Sequence, residues 1–437
     1  MITSMQYPFV KKLFVLTLAV VFSFNARSQE TTFADSSAIK IIYMGSSVPA
    51  GEGATNNKGY TSLFSDILKS RTSERGHKWE TANISIGGDN TIRVLKRYDS
   101  DLLPQQGKYV VFALSLGNEG IHEHGKPMFD QFERNMQTLI RKARSDGYTP
   151  VVTNCYARND FTPEDYQFIK EMNLKIHQWN VPSINLLGAI DDLSGHWMDG
   201  FWADGFHPND AGHAEMAYTI VPSLFDALES GKPSPVKVEG SGIKLSKRKF
   251  RDRPIGFVPE NIVHSFTTVV EVKVKGPGVL LRMTRATAGT TEVADAWDIA
   301  TISVNGQGQL LYSSPGSDTI TGTSTINDGR WHKVIVTHYY AKGVTRLYAD
   351  STLQGTLNEQ LNTIDLKIGG TGMPRKATYR NWLFYRSGMN PDEIRYLAKG
   401  SLLKSSLELY APLDGEKPGA HGFLRNLARS MNELRFR

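Results

Sequence analysis

Cysteine is nearly absent. Cys155 is the only one in 437 residues, so no intramolecular disulfide can brace the fold. It follows the apolar stretch Val151-Val152-Thr153-Asn154, with no partner motif for a cysteine nucleophile, and a buried, packed thiol is expected. Long hydrophobic runs are equally scarce. The run from Leu13 to Phe24 is short for a spanning helix and nothing later exceeds it, so no membrane span is expected. Charge of one sign is also lacking. The formal net charge is +6, and Lys11, Lys12 and Arg27 lie in an N-terminal segment without acids, which leaves +3 for the remainder. That is too mild to argue for nucleic acid or an anionic membrane surface. The one basic run, Lys244 to Arg251, reads as a solvated connector.

What is present begins with that N-terminal segment. Lys11-Lys12, the apolar run and Ala26-Arg27-Ser28 have the order of a secretory signal peptide over residues 1–28. No cysteine follows the apolar run, which argues against a lipid anchor; the expected location is the periplasm or outside the cell. The length and the 40% hydrophobic content fit two globular domains.

In the first half, short β-branched or aromatic runs alternate with helical patterns. Ile41-Ile42-Tyr43-Met44 and Tyr109 to Ser115 read as buried strands, Val151 to Asn154 as a fourth, and Val181 to Leu187 as a fifth. Helices are expected over Tyr60–Ser70, Thr91–Tyr98, Met128–Asp146, Pro163–Trp179 and Ala211–Leu228. This alternation predicts an α/β fold with a parallel sheet covered on both faces.

Chemistry-bearing residues sit at the strand ends. Gly45-Ser46-Ser47 follows the first strand, where a sharp turn exposes a serine at the carboxyl edge of the sheet. Asp204-Gly205-Phe206-His207 places a carboxylate three residues before an imidazole on one loop. Serine, histidine and aspartate are the nucleophile, the base and the group that fixes the base's tautomer in acyl transfer. Two further segments, Asn83 to Thr91 with Gly87-Gly88, and Gly117-Asn118-Glu119, also close strand-like stretches.

In order, Ser47, Gly88, Asn118 and His207 match the four blocks of the SGNH (GDSL-like) hydrolase family, and Gly51 fits its first block. The resemblance covers residues 38–230. It implies a flavodoxin-like three-layer α/β/α domain with Ser47 as nucleophile, His207 as base and Asp204 as its partner. It also implies an oxyanion hole made by the backbone N–H groups of Ser47 and Gly88 and the Asn118 amide. No cofactor and no metal are implied. The chain departs from the family where Ser46 and Glu119 stand at positions often held by Asp, which bears on pocket hydrogen bonding; Glu119 is therefore a candidate substrate contact.

Trp197, Phe201 and Trp202 precede Asp204. Such rings either stack on a sugar or fold the long loop into its own small core, and Trp197 and Trp202 are carried as candidate substrate contacts. Ile121-His122-Glu123-His124 resembles half a metal site, but no further ligand set accompanies it.

After the Gly/Ser/Pro stretch that opens a linker at 231–250, helical periodicity gives way to short alternating strands with Asn305-Gly306 and Asp328-Gly329 turns. An all-β sandwich is expected over 251–437. Asp328 to Val334, Thr345 to Asp350, Asn381 to Tyr385 and Pro391 to Ile394 resemble the laminin-G and concanavalin-like jelly roll. Such domains often bind carbohydrate, and Trp331 reads as core. Together the two resemblances imply an exported serine esterase, acting on O-acyl, foremost O-acetyl, esters of carbohydrates. The alternatives are a general acyl-ester hydrolase or lipase with a purely structural sandwich, and a non-catalytic glycan-binding protein.

Overall fold

The computed structural model of the chain describes residues 38–71, 78–245, 253–285, 298–315, 318–362, 364–415 and 422–436. Residues 1–28, read as a signal peptide, and Ser246 to Arg251 of the basic run lie outside them.

The apolar runs of the first half build one parallel sheet. β1 (Ile39–Gly45), β2 (Trp79–Asn83), β3 (Tyr109–Ala113), β4 (Thr149–Thr153) and β5 (Ser183–Ile184) lie in the order β2-β1-β3-β4-β5. That is the flavodoxin-like order, with its switch point between β1 and β3. Every residue of β3 is buried, as a strand covered on both faces requires. The covering helices are α1 (Ser47–Ala50), α2 (Tyr60–Lys69), α3 (Thr91–Arg97), α4 (Ile121–His124), α5 (Lys126–Ser145), α6 (Pro163–Gln178), α7 (Leu187–Ile190), α8 (Asp210–Tyr218) and α9 (Leu224–Glu229). A hairpin of β6 (Trp202–Asp204) and β7 (His207–Pro208) sits in the loop before α8.

Two elements differ from expectation for local reasons. The helix expected over Ala211–Leu228 is two helices, because Pro222 lacks an N–H and disfavours helical backbone at Val221. The fifth strand shrinks to two residues between Pro182, which cannot donate to the ladder, and the start of α7. Elsewhere the punctuation is legible: Thr162 and Asp165 form a capping box that starts α6, with Pro163 in its first turn.

The second half is a β-sandwich. Its strands are β8 (Ile255–Phe257), β9 (Phe266–Lys275), β10 (Gly278–Arg285), β11 (Asp298–Val304), β12 (Gln309–Ser313), β13 (Ile320–Thr325), β14 (Trp331–Tyr339), β15 (Val344–Ala349), β16 (Thr352–Asn358), β17 (Ile364–Ile368), β18 (Lys376–Tyr385), β19 (Leu407–Ala411), β20 (Phe423–Leu424) and β21 (Leu434–Phe436). An eight-stranded sheet, β13-β12-β11-β10-β17-β8-β21-β20, faces a six-stranded one, β16-β15-β14-β9-β18-β19. Alternation assigns the faces. Val270, Val272, Val274, Val334 and Val336 enter the core between the sheets, whereas Val269 and Ile335 point to the outer face. There α10 (Pro391–Ala398) covers them through Ile394 and Leu397.

The α/β layer and the sandwich belong to one compact unit, Ser37–Arg437. Their joint is buried and polar. His177 Nδ1 accepts the backbone N–H of Ser405 at 3.1 Å and of Lys404 at 3.3 Å, which places the ring proton on Nε2. That Nε2–H meets Glu393 Oε1 at 2.9 Å, with both side chains at most 1% exposed. Asn185 Nδ2 donates to the same oxygen at 2.8 Å, and the Ser406 N–H donates to the Ser183 carbonyl at 3.0 Å. Backbones touch where α7 meets the sandwich: a Cβ on Gly188 would stand 1.9 Å from the Gly388 carbonyl oxygen, so only glycine fits. The connecting segment is strapped down. Lys232 Nζ donates to the carbonyls of Asn426, Ala428 and Ser430, and Ile243 exchanges both backbone hydrogen bonds with Tyr379.

Candidate active site

The four sequence blocks meet at the carboxyl edge of the sheet, around its switch point. β1 ends at Gly45; Ser46 precedes α1 without a side-chain capping bond, and Ser47 is the helix's first residue. The serines differ in surroundings. Ser46 is 1% exposed and its hydroxyl faces Tyr156 Oη at 3.5 Å inside the fold, while Ser47 is 8% exposed. After α1 the chain reverses at Gly51, at φ 95°, where a Cβ would meet the Asn57 carbonyl oxygen at 2.1 Å. The family-block glycine is thus a requirement of this turn.

The Gly88 turn is tied to the end of β1. The Ile86 N–H donates to the Gly45 carbonyl at 3.1 Å. Arg97 braces the same corner, with its Nε on Asp89 at 2.6 Å and further donors on the Ile84 and Gly45 carbonyls. Asn118 comes from the single 3₁₀ turn after β3. Its Nδ2 donates to the Asp89 carbonyl at 3.2 Å, and its Oδ1 accepts from Arg158 at 3.3 Å. Among the described residues, no acceptor pairs with the backbone N–H of Ser47 or of Gly88.

The β6–β7 hairpin pairs Asp204 with His207 directly. His207 Nδ1 lies 3.0 and 2.9 Å from the two Asp204 oxygens. Burial pushes the Asp204 carboxyl up, but hydrogen bonds from His207 and from the Phe206 and His207 backbone N–H groups outweigh it and hold the group below the usual range. An ionised Asp204 only accepts, so Nδ1 carries a proton and Nε2 is the ring nitrogen left facing away from Asp204. The Ser47 segment packs on this hairpin: a Cβ on Gly53 would stand 2.8 Å from the His207 Cβ.

Of the other candidates, Trp202 is exposed and Trp197 is not. Trp197 is 3% exposed, packs on Tyr156 and helps fold the loop's own core. Glu119 likewise turns inward. It is 4% exposed and accepts from the Thr91 backbone and hydroxyl and from Gln131, which anchors α3 and α5. His122 pairs with Asp165 at 2.8 Å, which raises its affinity for a proton. The Cys155 thiol is pushed up to about 12 by burial and is not a nucleophile at neutral pH.

Sequence reading missed two residues here. Glu52, between Gly51 and Gly53, brings Oε2 to 3.3 Å from His207 Nε2. His213 on α8 is fully buried; Nδ1 accepts the Tyr60 N–H at 3.2 Å and Nε2 donates to the Glu52 carbonyl at 3.0 Å. Burial holds His213 below the ordinary histidine range, in the neutral form those bonds need. The glycines on both sides of Glu52 were the available signal for the first; the second had none.

Residues 43–215 match the model of the GDSL-like Lipase/Acylhydrolase family. Among curated proteins, the chain is 22% identical over 186 residues to Esterase TesA of Pseudomonas aeruginosa, covering 42% of this chain and 87% of that one. It is 28% identical over 112 residues to the uncharacterized lipoprotein YqeF of Bacillus subtilis, covering 24% and 46%. Among solved structures, the acetylxylan esterase Axe2 of Geobacillus stearothermophilus aligns with a TM-score of 0.34 at 15% identity, over 43% of this chain and 93% of that one.

Proposed function

We propose that the chain is an exported serine esterase that removes O-acetyl groups from carbohydrates, and that it works in the periplasm or outside the cell. The observation that carries the ester chemistry is the Asp204–His207 pair held against the Ser47 turn at the carboxyl edge of the sheet. Ser47 attacks the acyl carbon while His207 Nε2 takes its proton. The oxyanion is held by the N–H groups of Ser47 and Gly88 and by Asn118, each donor being worth about 100- to 1000-fold in turnover. His207 then protonates the departing alcohol, and water activated by the same nitrogen releases the acyl group. None of these steps needs a metal or cofactor. TesA, an esterase by name, supports the ester class.

The carbohydrate part rests on the exposed Trp202 ring at the start of the β6–β7 hairpin and on the second domain, whose likeness to laminin-G-type jelly rolls makes it a candidate glycan contact. A second reading, hydrolysis of simple acyl esters, is favoured by Ile86 and Ile92, which flank the Gly88 turn at 49% and 50% exposure. Acetate release from acetylated polysaccharides and from an aryl acetate, by wild type and Ser47→Ala, separates these. Release from one glycan, lowered about 10,000-fold or more by the substitution, is the expected result. Aryl acetate cleavage alone favours the second reading, and no release from any ester sinks both.

A further inference from the structure

Glu52 is held in the site by its backbone and turns a half-exposed carboxylate toward His207. Its N–H donates to the Ser47 carbonyl at 3.1 Å, its carbonyl accepts from buried His213 at 3.0 Å, and both flanking glycines have positive φ. The side chain is 43% exposed. One carboxylate oxygen, Oε2, lies 3.3 Å from His207 Nε2; the other lies over Gly87, where a Cβ would come within 2.3 Å of it. The head group therefore stands between the base and the turn that carries Gly88.

That place has a defined chemistry. His207 Nε2 must hand a proton to the leaving oxygen, so the alcohol half of the ester seats against that nitrogen. The Glu52 carboxylate stands 3.3 Å from the nitrogen that the leaving oxygen must reach, and its lone pairs can accept a further hydrogen bond there. A second hydroxyl on the carbon next to the ester oxygen would fall within reach of Glu52. An alcohol without that hydroxyl would instead set its apolar carbons against a carboxylate, which penalises it.

We propose that Glu52 is a specificity residue that recognises the free hydroxyl adjacent to the ester, so that the preferred substrates are monoesters of vicinal diols, as partly acetylated sugars are. This rests on the serine-esterase reading above. Glu52 undergoes no covalent change: Ser47 Oγ bonds to the acyl carbon, the carbon–oxygen bond to the alcohol breaks, and the proton on His207 goes to the departing oxygen. Throughout, Glu52 accepts one hydrogen bond from the neighbouring hydroxyl.

The test compares kcat/KM for trans-cyclohexane-1,2-diol monoacetate and for cyclohexyl acetate, which differ by that hydroxyl alone. Wild type should prefer the diol ester by about 10- to 100-fold, the span of a hydrogen bond to a charged group. Glu52→Ala should bring the ratio close to one, and Glu52→Gln, which keeps an acceptor, should fall between. Both esters are read on one preparation, so the ratio does not depend on the fraction folded. A ratio as high in Glu52→Ala as in wild type overturns the role of Glu52 and leaves the esterase standing. An equal loss on both esters overturns it too, since it would mark a general effect on the base or on the attacking water. No hydrolysis by wild type, or hydrolysis that survives Ser47→Ala, overturns the esterase reading and this proposal together.

Discussion

Replacing Glu393 by alanine should lower the stability of the α/β layer and the sandwich together. The carboxylate serves three donors: His177 Nε2 and Asn185 Nδ2 from the α/β layer, and the Asn390 N–H in the capping box of α10. At 1% exposure no water stands ready to replace it. Leaving these three buried donors unpaired costs upward of about 1 kcal/mol each, in all about 3–5 kcal/mol. For a unit of some 400 residues the unfolding entropy is roughly 0.8 kcal/mol per kelvin, so the midpoint should fall by about 4–6 °C. Glu393→Gln should lose far less. Its amide oxygen still accepts from both His177 and Asn185, and only the capping bond is lost, worth about 1 kcal/mol. The assay is calorimetry beside residual aryl acetate hydrolysis after heating. One transition that moves with the loss of activity is expected. Two transitions, of which only the later strands' own shifts while activity survives, would refute the view of the joint as part of one cooperative unit.

Asp204→Asn should reduce turnover about 10,000-fold while leaving the fold intact, because an amide can pair with the wrong tautomer of His207; a loss under tenfold would remove Asp204 from the mechanism. Asp191 is buried under the Tyr166 hydroxyl, 2.5 Å away, and burial pushes its carboxyl up to about 7. The folded state then binds a proton that the unfolded chain releases near pH 4, so stability falls as pH rises from about 4 to 7. Relative to wild type, Asp191→Asn should gain across that window by about 1.4 kcal/mol per pH unit and stay level above it, as read by denaturant midpoints; parallel curves would disprove it. Trp202→Ala should lower kcat/KM on an acetylated glycan about 3- to 10-fold more than on an aryl acetate, and an equal effect on both would place the ring outside the substrate's path.

The sheet was legible because a strand buried on both faces must carry an unbroken apolar run, as β3 does and as Ile41 to Met44 do within β1. The segments around Ser47, Gly88, Asn118 and His207 were legible because each sits where a strand ends and the chain must turn. Trp197 and Glu119 could not be sorted by sequence. Whether a ring or a carboxylate near a site faces solvent depends on the partner across the loop, here Tyr156 for one and Thr91 with Gln131 for the other. Glu52 escaped notice because its significance is its distance to His207, 155 positions away along the chain. The joint between the two halves was invisible for the same reason. His177 reads as an ordinary residue near a helix end, and its role exists only once Ser405 arrives.

That order of arrival has a kinetic side. The α/β layer is translated first, yet the N–H of Asn185 waits for the Ser406 hydroxyl, 221 positions later. At about 5–20 residues per second, the nascent chain carries an open polar and apolar flank for some tens of seconds before its own later strands close it. Whatever tends this polypeptide as it emerges must shield that flank, and a ribosome stalled between the two halves would release a sticky, half-finished molecule.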